Sequence, residues 1–254
     1  MFRPRIIPCL LIRNGGLVKT VKFNQETYIG DPLNAVRLFN DLEADELVFL
    51  DIDATKEGRT ISAELVEKIG SEAYMPFSAG GGIRSLEAAE KIITAGAEKV
   101  VINTAAEECP ELIPVIAEKF GQQSVIVSID AKKNLFGQYC VAIRNGRKMI
   151  NKTPWDFAAE AEKNGAGEII INSVDLDGMM TGYDINLIKK VAQNISVPLI
   201  ALGGVGNFTH LKDAIANGHA NAVAAGSLFV FYGPNKAVLI NYPSEKERQE
   251  EIFI

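Results

Sequence analysis

Two segments of the chain are copies of one another. Residues 46–83 open with ELVFLDIDAT and close with MPFSAGGGI; residues 168–205 open with EIIINSVDLD and close with VPLIALGGV. The offset is a constant 122 residues, as between Glu46 and Glu168 or between Pro76 and Pro198. Each copy reads as apolar strand, acidic loop, amphipathic helix, apolar strand, glycine cluster. Such a unit buries both faces of its strands only against further units, so copies must close on one another. The repeat predicts a closed α/β barrel of two halves, roughly 1–121 and 122–254. It also predicts one anion site in each half.

Eight apolar, β-branched runs fit that frame: Arg5–Leu11, Glu46–Ile52, Met75–Ala79, Lys99–Asn103, Ser124–Asp130, Glu168–Ser173, Pro198–Leu202 and Asn221–Ala225. Helical patterns lie between them, such as 85–97 and 153–166, with Ser85 and Thr153 placed as N-caps and glycine at each end. Strands alternating with helices of this length make βαβ units and a parallel sheet. A length of 254 residues suits one such barrel, about 250 residues in typical size. The expectation is therefore α/β, a single (β/α)8 barrel domain over 1–254. After Pro243 a short, capped, charged helix is expected.

The net charge of −6, with no block rich in lysine or arginine, argues against a nucleic-acid or membrane-surface role. No apolar run reaches the roughly 18 residues that cross a bilayer, and no export signal is read at the start. Cys9, Cys109 and Cys140 are far apart, and His210 and His219 add no ligand spacing. Free thiols in a reducing cytoplasm, no metal and no cofactor are expected.

In such a barrel chemistry sits where strands end and βα-loops begin. Two glycine clusters stand there. Gly80–Gly82 (hence Gly81 and Gly82) with Asn103 and Thr104 form one set; Gly203, Gly204 and Gly206 with Gly226 and Ser227 form the other. Glycines let backbone N–H groups approach an anion, and a following helix N-terminus adds positive potential. The bland alternative is that they make tight turns. Two clusters in symmetric register favour a ligand with a phosphate at each end.

The run of motifs RIIPCL (5–10), GDP (30–32), ELVFLDI (46–52), GGGI (80–83), VINTAA (101–106), VIVSIDAK (125–132), NGAGEI (164–169), DLDGMMTGYD (175–184) and GGVG (203–206) resembles the HisF family. These are the TIM-barrel cyclase subunits of imidazole glycerol phosphate synthase, and the likeness runs from residue 1 to about 231. The resemblance implies a glutaminase partner of the HisH type, whose ammonia crosses the barrel axis to a phosphorylated small molecule at the C-terminal rim. It implies Lys19, Asp51, Asp177 and Gly178, beside the glycine clusters, as substrate or phosphate contacts. It implies an ammonia gate at the opposite end, matched here by Arg5, Glu46, Lys99 and Glu168. Gln123 matches a position near the docking face.

Three departures stand out. The family's acid/base pair is an aspartate at the ends of strands 1 and 5. Asp130 keeps the second, but Leu11 stands at the first, and leucine carries no proton. The tail NKAVLINYPSEKERQEE (235–251) is unlike the family's final helix and resembles paralogs from surface-polysaccharide clusters. Met179 and Met180 also make an apolar loop where the family's is polar. The leading expectation is an ammonia-channelling subunit for amidino-group formation on a sugar, with a third, ATP-dependent enzyme as possible partner. The alternatives are a genuine cyclase of histidine biosynthesis and a non-catalytic, phosphometabolite-binding activator of a glutaminase.

Overall fold

A computed structural model describes residues 3–253. Eight parallel strands close into a barrel: β1 (Arg5–Arg13), β2 (Leu47–Asp51), β3 (Phe77–Gly80), β4 (Lys99–Ile102), β5 (Val125–Lys133), β6 (Glu168–Ser173), β7 (Leu199–Leu202) and β8 (Ala222–Ala225). Each pairs with the next in sequence, and β8 returns to β1 with Ile6 opposite Val223. Every predicted run becomes a strand, within a few residues at either end. Alternation then sorts the side chains. Ile7, Val48, Val101, Ile126, Ile170 and Ile200 fill the bore, whereas neighbours such as Ile6, Phe49 and Val127 join the layer under the helices.

Seven helices cover that layer: α1 (Pro32–Asp41), α2 (Ala63–Glu72), α3 (Leu86–Thr94), α4 (Leu112–Phe120), α5 (Pro154–Lys163), α6 (Ile185–Ala192) and α7 (Phe208–Ala216). Ser85 Oγ accepts the Ala88 N–H at 3.2 Å, and Thr153 Oγ1 accepts that of Asp156 at 3.2 Å. Both satisfy an amide that the helix itself leaves without a partner.

The eighth place is built differently. After a single turn, Ser227–Val230, the chain makes a small hairpin from Phe231–Tyr232 and Ala237–Val238. It then runs down the barrel wall to the helical segment Glu245–Ile252, which packs against α7. Ser244 and Glu247 form a reciprocal capping box at its start. The Tyr242 hydroxyl donates to the Ile6 carbonyl at 2.8 Å and accepts from the Asp45 N–H at 3.1 Å. The tail is thereby fastened to the N-terminal end of β1.

Two excursions were not legible as strands. β1 continues antiparallel into Gly16–Thr20 and then Glu26–Gly30; β5 continues into Tyr139–Ile143 and then Lys148–Ile150. These are the same position in the two halves. Both excursions rise over the C-terminal mouth.

Candidate functional site

A cavity of about 140 Å³ opens at that mouth. Leu11, Lys19, Asp51, Gly81, Gly82, Asn103, Thr104, Asp130, Asp177 and Gly226 all line it. Sequence reasoning singled out every one of these. Gly178, Gly203, Gly204 and Ser227 are not among its lining residues. The reason is local packing: a Cβ on Gly178 would meet the Thr20 carbonyl at 2.4 Å, and one on Gly204 would meet the Gly182 carbonyl at 2.3 Å. Those glycines let neighbouring loops approach one another.

Asp130 sits on β5 where the strand reaches the cavity, and is buried. Asn172 Nδ2 donates to its Oδ1 at 3.0 Å, and Asn103 Nδ2 donates to its Oδ2 at 3.0 Å. Burial disfavours the charge and pushes the carboxyl up to about 7, against the two amide donors and with help from nearby Asp177. A carboxyl poised near neutrality can both take and give a proton.

The repeat places an equivalent pair in the other half. Asp130 stands in register with Asn172 across β5 and β6; Leu11 stands in register with Leu50 across β1 and β2. One half presents a hydrogen-bonded acid and amide, the other two leucines. The cavity wall beside β1 is therefore apolar, continued by Cys9, Val101 and Leu202. Burial pushes the Cys9 thiol up to about 12, so it stays protonated there.

The remaining charges at the mouth are internally paired. Lys19 Nζ reaches both Asp177 oxygens, at 3.0 and 3.2 Å. Asp51 pairs with Arg59 at 2.5 Å and accepts the Asp53 and Ala54 N–H groups. Its carboxylate thus shapes the loop after β2. Thr104 Oγ1 donates to Asn103 and accepts the Arg144 N–H at 3.0 Å, tying the β5 excursion down. Ser227 Oγ, at the start of its turn beside Gly226, is buried with no partner among the described residues. Arg13, Phe23, Thr55, Arg84 and Asn145 also line the cavity. They belong to loops whose path a strand-end argument does not trace.

At the opposite end Arg5, Glu46, Lys99 and Glu168 meet in a ring. Arg5 bonds Glu46 and reaches Glu168 at 3.1 Å. Lys99 Nζ reaches Glu46 and Glu168, each at 3.1 Å. The ring alternates in sign and closes on itself. Glu46 is only 2% exposed and takes a further bond from Ser78 at 3.1 Å. Between ring and cavity the bore is mostly aliphatic, with Ile7, Val48, Ile126, Ile170 and Ile200 beside Cys9 and Ser128.

Among the described residues no group of histidine, cysteine and carboxylate side chains is arranged to hold a metal, and no helix is long and apolar enough to cross a membrane.

Comparison with known proteins agrees with this geometry. The histidine biosynthesis protein family matches residues 5–234. A Leptospira interrogans protein, provisionally named imidazole glycerol phosphate synthase subunit HisF, is 49% identical over 98% of both chains. A Pseudomonas aeruginosa relative, provisionally named the hisF2 subunit, is 49% identical over 96% of this chain and 97% of its own. The imidazole glycerol phosphate synthase subunit HisF of Solidesulfovibrio magneticus is 41% identical over 92% of each. By family match and by identity along nearly its whole length, the chain belongs to the histidine biosynthesis protein family and is a HisF-like protein.

Proposed function

We propose that this HisF-like chain is the ammonia-receiving subunit of a glutamine amidotransferase, and that it delivers ammonia rather than closing an imidazole ring. A HisH-like glutaminase would dock below the ring of Arg5, Glu46, Lys99 and Glu168. Opening one ion pair admits ammonia to the apolar bore, which carries a neutral molecule and rejects ammonium. Asp130 stands at the exit, where a near-neutral carboxyl can exchange a proton with the amine.

The observation that carries this reading is the Leu11–Leu50 pair in register where Asp130–Asn172 stands in the other half. Amine addition, elimination and ring closure need protons moved on more than one side of the substrate, and the Leu11–Leu50 pair that matches Asp130–Asn172 offers no group that carries a proton. The numbered names hisF2 and hisF3 of two relatives fit a line of paralogs. The VLINYP run (238–243) resembles paralogs from surface-polysaccharide clusters, and that resemblance supports a role in amidino-sugar assembly, with a third, ATP-using enzyme taking the ammonia.

The test is to purify the chain and assay imidazole glycerol phosphate formation from ammonia and the ribulosyl substrate. Turnover at the level of ordinary HisF overturns the reading. Asp130 itself favours a second reading, a working cyclase that relies on one acid/base group. Under it the same assay gives activity that Asp130→Asn abolishes.

A further inference from the structure

A second cavity, about 210 Å³ in volume, lies beside the first on the C-terminal face. It is lined by Arg13, Lys22 and Asn24 from the β1 excursion, and by Lys132, Asn145 and Arg147 from β5 and its excursion. Four cationic side chains face it, and no carboxylate residue lines it. Arg13 is held by Asp53, with Nε to Oδ2 at 2.6 Å, and by Glu26. Lys22, Lys132 and Arg147 have no carboxylate within 4.0 Å among the described residues. On a chain of net charge −6, three cations converging without a counter-charge stand out. Lys22 and Arg147 are exposed and Lys132 is half-buried, so all three side chains can turn toward an anion that enters.

Two chain segments from opposite halves build the cavity, and their meeting is specific. Gly146 has a φ of +72°, and a Cβ there would stand 3.2 Å from the Phe23 ring. The two excursions abut at that point, and Lys22 and Arg147 both line the cavity beside it. Arg13, Phe23 and Asn145 are shared with the main cavity. An anionic group here would therefore lie next to whatever fills the main site.

We propose that this basic cavity is a phosphoryl-group site, distinct from the glycine clusters at the strand ends. Three cations without a carboxylate partner suit a compact oxyanion with three or four acceptor oxygens; the amides of Asn24 and Asn145 already donate to the Lys22 and Ile52 carbonyls. The phosphoryl group comes either from free phosphate or from a sugar phosphate seated partly in the main cavity.

The experiment uses the full chain, labelled with 15N, titrated with inorganic phosphate and separately with ribose 5-phosphate in 150 mM chloride. The expected result is saturable shifts at the amides of Lys22, Asn145, Gly146 and Arg147. The double substitution Lys132→Ala, Arg147→Ala then weakens that response at least about tenfold, the scale of one lost charge-assisted hydrogen bond. Tighter binding of ribose 5-phosphate with the same dependence assigns the group to a sugar phosphate; equal binding assigns it to free phosphate. Shifts confined to the glycine clusters, or a response unaltered by the double substitution in a variant whose spectrum is otherwise native, overturn the proposal. So does a response that chloride alone reproduces. None of these results bears on ammonia delivery, which the cyclase assay tests separately.

Discussion

Asn172 donates to Asp130 at 3.0 Å across β5 and β6, from a position that the other half of the barrel gives to Leu50. The bond offsets part of the cost of burying that carboxylate. It also gives the two halves different chemistry on one backbone plan.

Asp130 should make stability depend on pH. Its folded value, about 7, lies above the ordinary 3.8. The native state thus holds a proton that the unfolded chain releases from about pH 4. The contribution is complete below that, and it is lost as pH rises through about 7. Asp130→Asn should flatten this part of the profile by on the order of 3 kcal/mol. Urea unfolding at pH 4.5, 6 and 8 measures the slope, whatever the variant's absolute stability. Parallel profiles for the two proteins would contradict the assignment.

The ring at the other end should be structural as well as functional. Glu46 is buried and bonded to Arg5, Lys99 and Ser78. Glu46→Gln leaves two cations short of a partner in a part-buried setting, an effect of about 3 kcal/mol. Denaturant midpoints check this. With the glutaminase bound, the fraction of glutamine-derived ammonia that reaches the rim should fall too.

Glycines at the two loop ends should differ sharply in tolerance. Gly82 has φ +64°, and a Cβ there would fall 1.9 Å from the Arg59 carbonyl. Gly137 has φ +75° with nothing within 4 Å. Gly82→Ala should lower stability by about 3 kcal/mol, combining left-handed strain with displacement of the β2 loop. Gly137→Ala should lower it by only about 1 kcal/mol. Similar thermal shifts for the two would argue that the Arg59 loop yields readily.

The tail's attachment is testable at one atom. Tyr242→Phe removes the bonds to Ile6 and Asp45 while keeping the ring against Phe39 and Phe229. A loss of about 1–2 kcal/mol is expected. Faster amide exchange in Glu245–Ile252 should accompany it.

The sequence carried the barrel because its signals are local and repeated: β-branched runs, capped helices and a constant offset. The ring was legible for the same reason, since strand starts fall in one layer. The mouth was legible only in part. Asp130 and Leu11 could be placed at strand ends, but their partners depend on register, which pairs Leu11 with Leu50. Arg13, Phe23 and Asn145 reach the cavity through antiparallel excursions with mixed polarity, such as YCVAI and KMI. Nothing local says which way such short strands fold back. The glycines were read as anion cradles, yet Gly203 is also needed because a Cβ would meet Asn172 Oδ1 at 2.5 Å. Two demands on one residue cannot be separated without the packing.

The most direct test is to measure ammonia-dependent cyclase turnover for the native chain and for Leu11→Asp side by side. Restoring a carboxylate opposite Asp130 supplies the missing acid/base partner, whose absence accounts for about 10²–10⁴-fold in rate. A native rate that far below ordinary HisF, rising at least about tenfold in Leu11→Asp, is the predicted result. Native turnover equal to ordinary HisF, unmoved by the substitution, would contradict an ammonia-delivering barrel.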